Sequence, residues 1–197
     1  VDQIHFRVVA ENWEAAMKRK RGNPNWLDNN ERAALLRKEV IKEWSVKLPP
    51  TADYHEAVKT IKPPKGMPQG FYYLISSHDQ KFSAADNMCY YTDLWVSDLS
   101  IVMRQRGGNG LVEGFVLDSL SGEPVAGAKV RAWMRTRNGR NNVRTEINPT
   151  TSDANGHFKF AAANQGYLIL ASKNGQQLST HNDFYNSNRV SIPRPYD

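Results

Sequence analysis

Residues 3–9, QIHFRVV, alternate between apolar and polar. Ile4, Phe6 and Val8 point one way and His5 and Arg7 the other, the period-two signature of a half-buried strand. The period then changes. Trp13, Ala16 and Met17 fall on one side of a helical stretch over 11–21, which Gly22-Asn23-Pro24 breaks. Asp28 and Glu31 have the spacing of a capping box, and Leu35, Leu36 and Val40 supply the apolar stripe of a second helix. From Trp44 the period returns to two, with Trp44, Val46 and Leu48 on one face, until Pro49-Pro50 ends the strand. The polar stretch 51–69 carries Pro63-Pro64 and Pro68 and is expected to cross extended, outside any central ladder. FYYLISS, after Gly70, is apolar on both faces, as a strand covered on both sides is. In MCYYTDLWVSDLSIVMR, Met88, Tyr90, Thr92, Leu94 and Val96 are in phase. Asp98 marks a turn or bulge, and Leu99, Ile101 and Met103 continue beyond it, so the segment is two strands or one bent strand.

The remainder is β-patterned throughout. LVEGFVL opens it as a strand, and Ser121-Gly122-Glu123-Pro124 is a turn. Ala128, Val130, Ala132 and Met134 face inward, and Lys129, Arg131 and Arg135 face out. Asn138-Gly139 is a tight-hairpin signal, which the following Arg140-Asn141-Asn142 extends towards a longer loop. Val143, Thr145 and Ile147 alternate with Arg144 and Glu146. Asp153-Ala154-Asn155-Gly156 turns into a strand whose Phe158 and Phe160 share a face. Residues 167–171 form a buried strand, Asn174-Gly175 a hairpin turn, 179–188 a polar loop, and Val190 and Ile192 a last short strand. Strands separated by turn signals about every ten residues indicate a sandwich. The expected architecture is mainly β, two tandem antiparallel β-sandwich domains, the first with a helical insertion at about 11–44. The expected boundaries are 1–106 and 107–197, with the join in the glycine-rich run 104–110.

The chain has 197 residues, which accommodates two such domains. Its net charge of +6 collects in Lys18-Arg19-Lys20-Arg21 and between Arg131 and Arg144. Such an excess permits binding to nucleic acid or to an anionic surface, but no recognition motif accompanies it, and solvated strand faces and helix ends account for it. A nucleic-acid partner is therefore not expected. The single cysteine, Cys89, allows no disulfide within the chain and does not decide the compartment. No window approaches the roughly 20 apolar residues of a membrane span. The chain starts at Val1, without a signal sequence, and is expected to be a processed or excised piece, so the missing signal says nothing about localisation.

No catalytic, cofactor-binding or metal-ligating residues are expected. A nucleophilic cysteine needs a base that holds it as thiolate, and the five histidines, His5, His55, His78, His157 and His181, are dispersed. Cys89, between Met88 and Tyr90 on a strand, is expected to be a half-buried structural thiol. Asp153, Asn155 and Gly156 resemble the start of a calcium loop, but its closing acid is missing, and an Asx turn is the expected reading. Gly107-Gly108-Asn109-Gly110 lacks the Lys-Ser/Thr of a phosphate loop and is expected to be a linker. Trp95, Trp133, Tyr72, Tyr73, Tyr90 and Tyr91 are candidates for a sugar-stacking platform or for core and junction packing. Trp133 is out of phase with its inward neighbours and is expected either to be exposed or to cover a junction. Lys129 alternates outward, which removes the buried setting that an isopeptide donor needs.

Several of these strands carry a resemblance. Val96-Ser97-Asp98-Leu99 with Ile101 is similar to the V-T-D-L strand that closes a macroglobulin domain in bacterial alpha-2-macroglobulin-like proteins. Val46-Lys47-Leu48-Pro49 and 70–75, GFYYLI, resemble the strands that precede it. Asp118, Ser121-Gly122, Pro124-Val125 and Gly127-Ala128 are similar to the hairpin that opens the next macroglobulin or carboxypeptidase-regulatory-like (prealbumin-like) sandwich, and Ser152-Asp153 with Gly156 and Phe158 to the turn that follows. The resemblance covers about 44–172, and its helical insert departs from a plain macroglobulin domain. It implies non-catalytic shell domains of a broad endopeptidase inhibitor, periplasmic or extracellular, or anchored to a membrane by lipid, whose partners are neighbouring domains of one large chain and, for the whole protein, proteases. The family's thioester motif, of the Cys-x-x-Gln type, is absent around Cys89, and no bait region is evident. The alternative is a carbohydrate-binding or adhesion module, resting on an exposed Trp133 and on the loop 179–188.

Overall fold

The computed structural model describes residues 2–19, 23–49, 58–83, 87–104, 110–138 and 141–185. Among the described residues the strands pair antiparallel, and the chain forms two compact units, residues 1–16 with 24–96 and residues 17–23 with 97–197.

The first unit holds a four-stranded antiparallel sheet in the order β2-β1-β3-β4. These strands are β1 (Gln3–Glu11), β2 (Val40–Lys47), β3 (Gly70–Ser77) and β4 (Tyr90–Val96). The central β3 is buried on both faces, as its uninterrupted apolar run requires. One face carries Val9, Phe71, Tyr73 and Ile75, which lie in register across β1 and β3 and are all buried. This face is where the helical insertion packs. The Tyr73 hydroxyl donates to the Pro24 carbonyl over 2.6 Å, Trp95 packs against Phe71 and Trp13, and the Tyr91 hydroxyl donates to the Arg32 carbonyl. On the other face Phe6 stacks on Trp44 with centroids 5.1 Å apart.

Both helices are short and depend on their caps. Asn12 accepts the Ala15 amide at the start of α1 (Trp13–Arg19). Asp28 and Glu31 form the expected reciprocal capping box at α2 (Asn29–Leu35). α2 ends sooner than its apolar stripe suggests. Val40 belongs to β2, where a bulge between Val8 and Val9 lets the strand enter, and it does not extend the helix.

The second unit is a sandwich. One sheet has the order β10-β6-β5: β5 (Leu99–Arg104), β6 (Leu111–Asp118) and β10 (His157–Ala161). The other has the order β12-β11-β7-β8: β7 (Lys129–Asn138), β8 (Asn141–Glu146), β11 (Gly166–Lys173) and β12 (Gln176–Ser179). The short β9 (Thr150–Thr151) also pairs with β7, and β13 (Phe184–Tyr185) with β11. Between the sheets lies a core of Val112, Val116, Val130, Ala132, Phe158, Tyr167 and Ile169, with Met134 and Phe160 packed against it. Full burial of the valine, isoleucine and phenylalanine side chains contributes about 1.5–3 kcal/mol each.

Three turns fix the register. Asp118 accepts from the Leu120 and Ser121 amides and from the Ser121 hydroxyl, which folds the chain back so that the Val125 amide reaches the Val116 carbonyl. The buried Ser152 accepts the Ala128 amide and donates to the Val125 carbonyl, tying that hairpin to β9. β7 and β8 pair up to Asn138 opposite Asn141. Two residues therefore separate the strands, a shorter connection than the polar run 140–142 suggested. Part of the expected polar loop 179–188 is also strand: β13 lies beside β11, with Phe184 packed against the core. Most of the glycine-rich run, 105–109, and the expected strand at Val190 and Ile192 lie outside the described residues.

Candidate functional site

Cys89 lies just before β4, in the first unit, and not within the strand. It is half-buried and accepts the Asn87 side-chain amide at 3.5 Å. Burial pushes its thiol pKa up, outweighing hydrogen bonds from Ser77 and Asn87 that act the other way. A thiol held protonated is a poor nucleophile. Cys89 edges a shallow pocket of about 260 Å³ with Arg32, Leu36, Asn87, Met88 and Tyr91. Arg32 sits over the Tyr91 ring at 5.5 Å, and burial raises the Tyr91 pKa. No histidine lines this pocket among the described residues.

Four of the five histidines lie among the described residues, and His55 lies outside them. His5 contacts the Ser45 hydroxyl on the first sheet, and His78 and His181 are exposed. His157 has carboxylates at both ring nitrogens, Glu113 at 3.4 Å and Asp153 at 3.9 Å. No group of three or more metal-ligating side chains comes together among the described residues.

Asp153 forms an Asx turn. Its Oδ1 accepts the Asn155 and His157 amides at 2.9 and 3.0 Å and holds the turn into β10. Lys129 is exposed, in line with its outward phase.

The aromatic residues form no common platform. Tyr72 and Tyr73 are neighbours on β3 and point to opposite faces, each buried and each donating its hydroxyl to a backbone carbonyl. Trp95 is taken up by Phe71 and Trp13, and only Tyr90 is well exposed. Trp133 corrects the expectation of exposure, since it is 7% accessible. It stands opposite the fully buried Leu168 on the outer face of its sheet, and the Arg131 guanidinium covers it at 4.7 Å. Arg131 is itself held by a bidentate pair of bonds to Glu146 at 2.7 and 2.9 Å, and this hydrogen bonding lowers the Glu146 pKa.

Sequence reading missed two charged clusters, both in the second unit. Glu113, 6% accessible, lies near Arg104 and His157 on the outer face of β6. Asp183 contacts both Arg144, at 2.6 Å, and Arg135, at 3.3 Å. The hairpin held half the signal for the second cluster. Arg135 and Arg144 are equidistant from its turn and so stand opposite each other, but nothing local places Asp183 beside them.

No protein-family profile matches the chain, and no curated protein matches it. Solved structures do. The chain is similar to alpha-2-macroglobulin from Escherichia coli spanning domains NIE-MG1, with a TM-score of 0.60 at 18% identity, covering 91% of this chain and 83% of that one. It is also similar to a longer segment of that protein, spanning MG0-NIE-MG1, with a TM-score of 0.58 at 16% identity. There the match again covers 91% of this chain but 55% of the other, so this chain spans about half the length of that relative. Over 91% of its length the chain therefore shares its fold with a segment of a bacterial alpha-2-macroglobulin that spans domains NIE-MG1.

Proposed function

We propose that the chain is a non-catalytic structural segment of a bacterial alpha-2-macroglobulin-like protein, in which the two units, with β5 in the second and not before the join expected at 106, act as consecutive shell domains of a protease-trapping inhibitor. One observation supports this reading: 91% of the chain is similar in fold to a segment of Escherichia coli alpha-2-macroglobulin that spans domains NIE-MG1. The interior supports it. Buried aromatic and aliphatic side chains fill the core, and Asp153, singled out as a candidate cation ligand, serves a turn. The partners on this reading are neighbouring domains of the same long chain and, for the whole protein, proteases. The setting is periplasmic or extracellular, with a lipid anchor elsewhere in the protein. The carbohydrate-binding alternative loses its main support with the burial of Trp133.

The test uses the full-length gene product. A shell that closes round a protease shields it from large substrates and leaves small ones free to diffuse in. Incubation with a protease should abolish cleavage of a protein substrate and spare cleavage of a short chromogenic peptide. Equal loss of both activities, or loss of neither, would overturn the proposal.

A further inference from the structure

Two arginines and one aspartate leave the outer face of the second unit's larger sheet with an unbalanced charge. Arg135 and Arg144 face each other across β7 and β8, an arrangement that repels unless an anion lies between them. Asp183 supplies one, with Oδ1 at 2.6 Å from Arg144 Nη2 and Oδ2 at 3.3 Å from Arg135 Nη1. The approach is built in. A β-carbon on Gly166 would come within 2.9 Å of Asp183 Oδ2, so the absence of a side chain there admits the carboxylate. One carboxylate against two guanidinium groups still leaves a net positive charge. The Arg144 side chain is only 4% accessible, yet its Nε and Nη1 have no hydrogen-bond partner among the described residues. A buried guanidinium with unused donors is costly, and such donors call for an occupant. Arg135 is 42% accessible and presents the second guanidinium to solvent.

We infer that Arg144 and Arg135 form a binding site for a small oxyanion, a carboxylate or a phosphate group, with Asp183 as the fixed internal anion that holds the two guanidinium groups in place. Oxyanions suit the site because their oxygens accept from the N–H fork of a guanidinium, whereas chloride offers no such geometry. The site lies within one unit and does not depend on the macroglobulin reading.

The intact chain is titrated with sodium acetate, sodium phosphate or sodium chloride at constant ionic strength, following the Arg Nε–Hε resonances and the thermal midpoint. The expected result is a saturable shift of the Arg144 Nε–Hε signal, with half-saturation in the millimolar range, by acetate or phosphate but not by chloride. Arg135→Gln should weaken that affinity about tenfold while the chain stays folded, and Arg144→Gln should abolish it. Response to acetate alone assigns a carboxylate, response to phosphate alone a phosphate, and response to both the shared chemistry. A midpoint that climbs linearly without saturation reflects general exclusion of salt from the surface and overturns the site. So does a chloride response equal to the others, or a saturable response that Arg135→Gln leaves unchanged. If Arg144→Gln does not fold, the Arg135→Gln comparison decides alone.

Discussion

Single side chains in this protein act mostly on the backbone, and Asp79 shows how strongly. Its Oδ1 accepts the Lys81 amide, and its Oδ2 accepts both the amide and the hydroxyl of Ser83. The Ser83 hydroxyl is the largest influence, followed by the two backbone amides, and together they lower the Asp79 pKa from 3.8 to about 2. A depressed pKa in the folded state means that the unfolded chain binds the proton more readily. The stabilising contribution is therefore full above pH 3.8 and disappears as the pH falls towards about 2. The first unit should lose stability across this window, and Asp79→Asn, which cannot titrate, should show a flatter profile there. Urea midpoints for both proteins at several acid pH values provide the measurement. Parallel profiles would show that Asp79 is not the group responsible. Asp118 is shifted in the same direction by Ser121 and Leu120, so its turn in the second unit should weaken with acid as well.

Elements are joined by a few such side chains reaching across sequence. Tyr73, buried at the centre of β3, donates to the Pro24 carbonyl and fixes the segment between the two helices over the sheet. Tyr73→Phe keeps the ring and leaves that buried carbonyl without its donor, which should cost about 1–3 kcal/mol. Hydrogen exchange of the β3 amides would register the loss, and unchanged protection would show that the bond contributes nothing net. Periodicity revealed the strands themselves: the alternation of Ile4, Phe6 and Val8 and the inward set Ala128, Val130, Ala132 and Met134 read directly as faces. The capping box of α2 was equally legible, because its two partners are three residues apart. Pairings over long separations were not. The Val8–Val9 bulge that admits Val40 into β2, the seating of Phe184 on the core and the contact of Asp183 with two arginines depend on register and on distant strands. Of the two readings of Trp133, exposure fails for a related reason. Phase alone put it on an outer face, but that face also carries buried residues, among them Leu168 and Leu170.

At the scale of the molecule, the two units differ in construction: one sheet covered by helices, and one pair of facing sheets. The one thiol sits in the sequence Cys-Tyr-Tyr-Thr with its pKa raised by burial, a setting unlike an activated acyl donor. If the trapping action proposed for the whole protein depends on parts that this chain does not contain, the isolated chain should leave proteases untouched. Equimolar mixtures with an active-site-titrated serine protease, assayed on a protein substrate, should retain full activity. Stoichiometric inhibition by the isolated chain would mean that these units bind the enzyme themselves, and the scaffold role would have to give way to direct recognition. Full activity, together with protection of the protease by the full-length product, would place trapping outside these two units and leave them the mechanical task of holding and moving the shell.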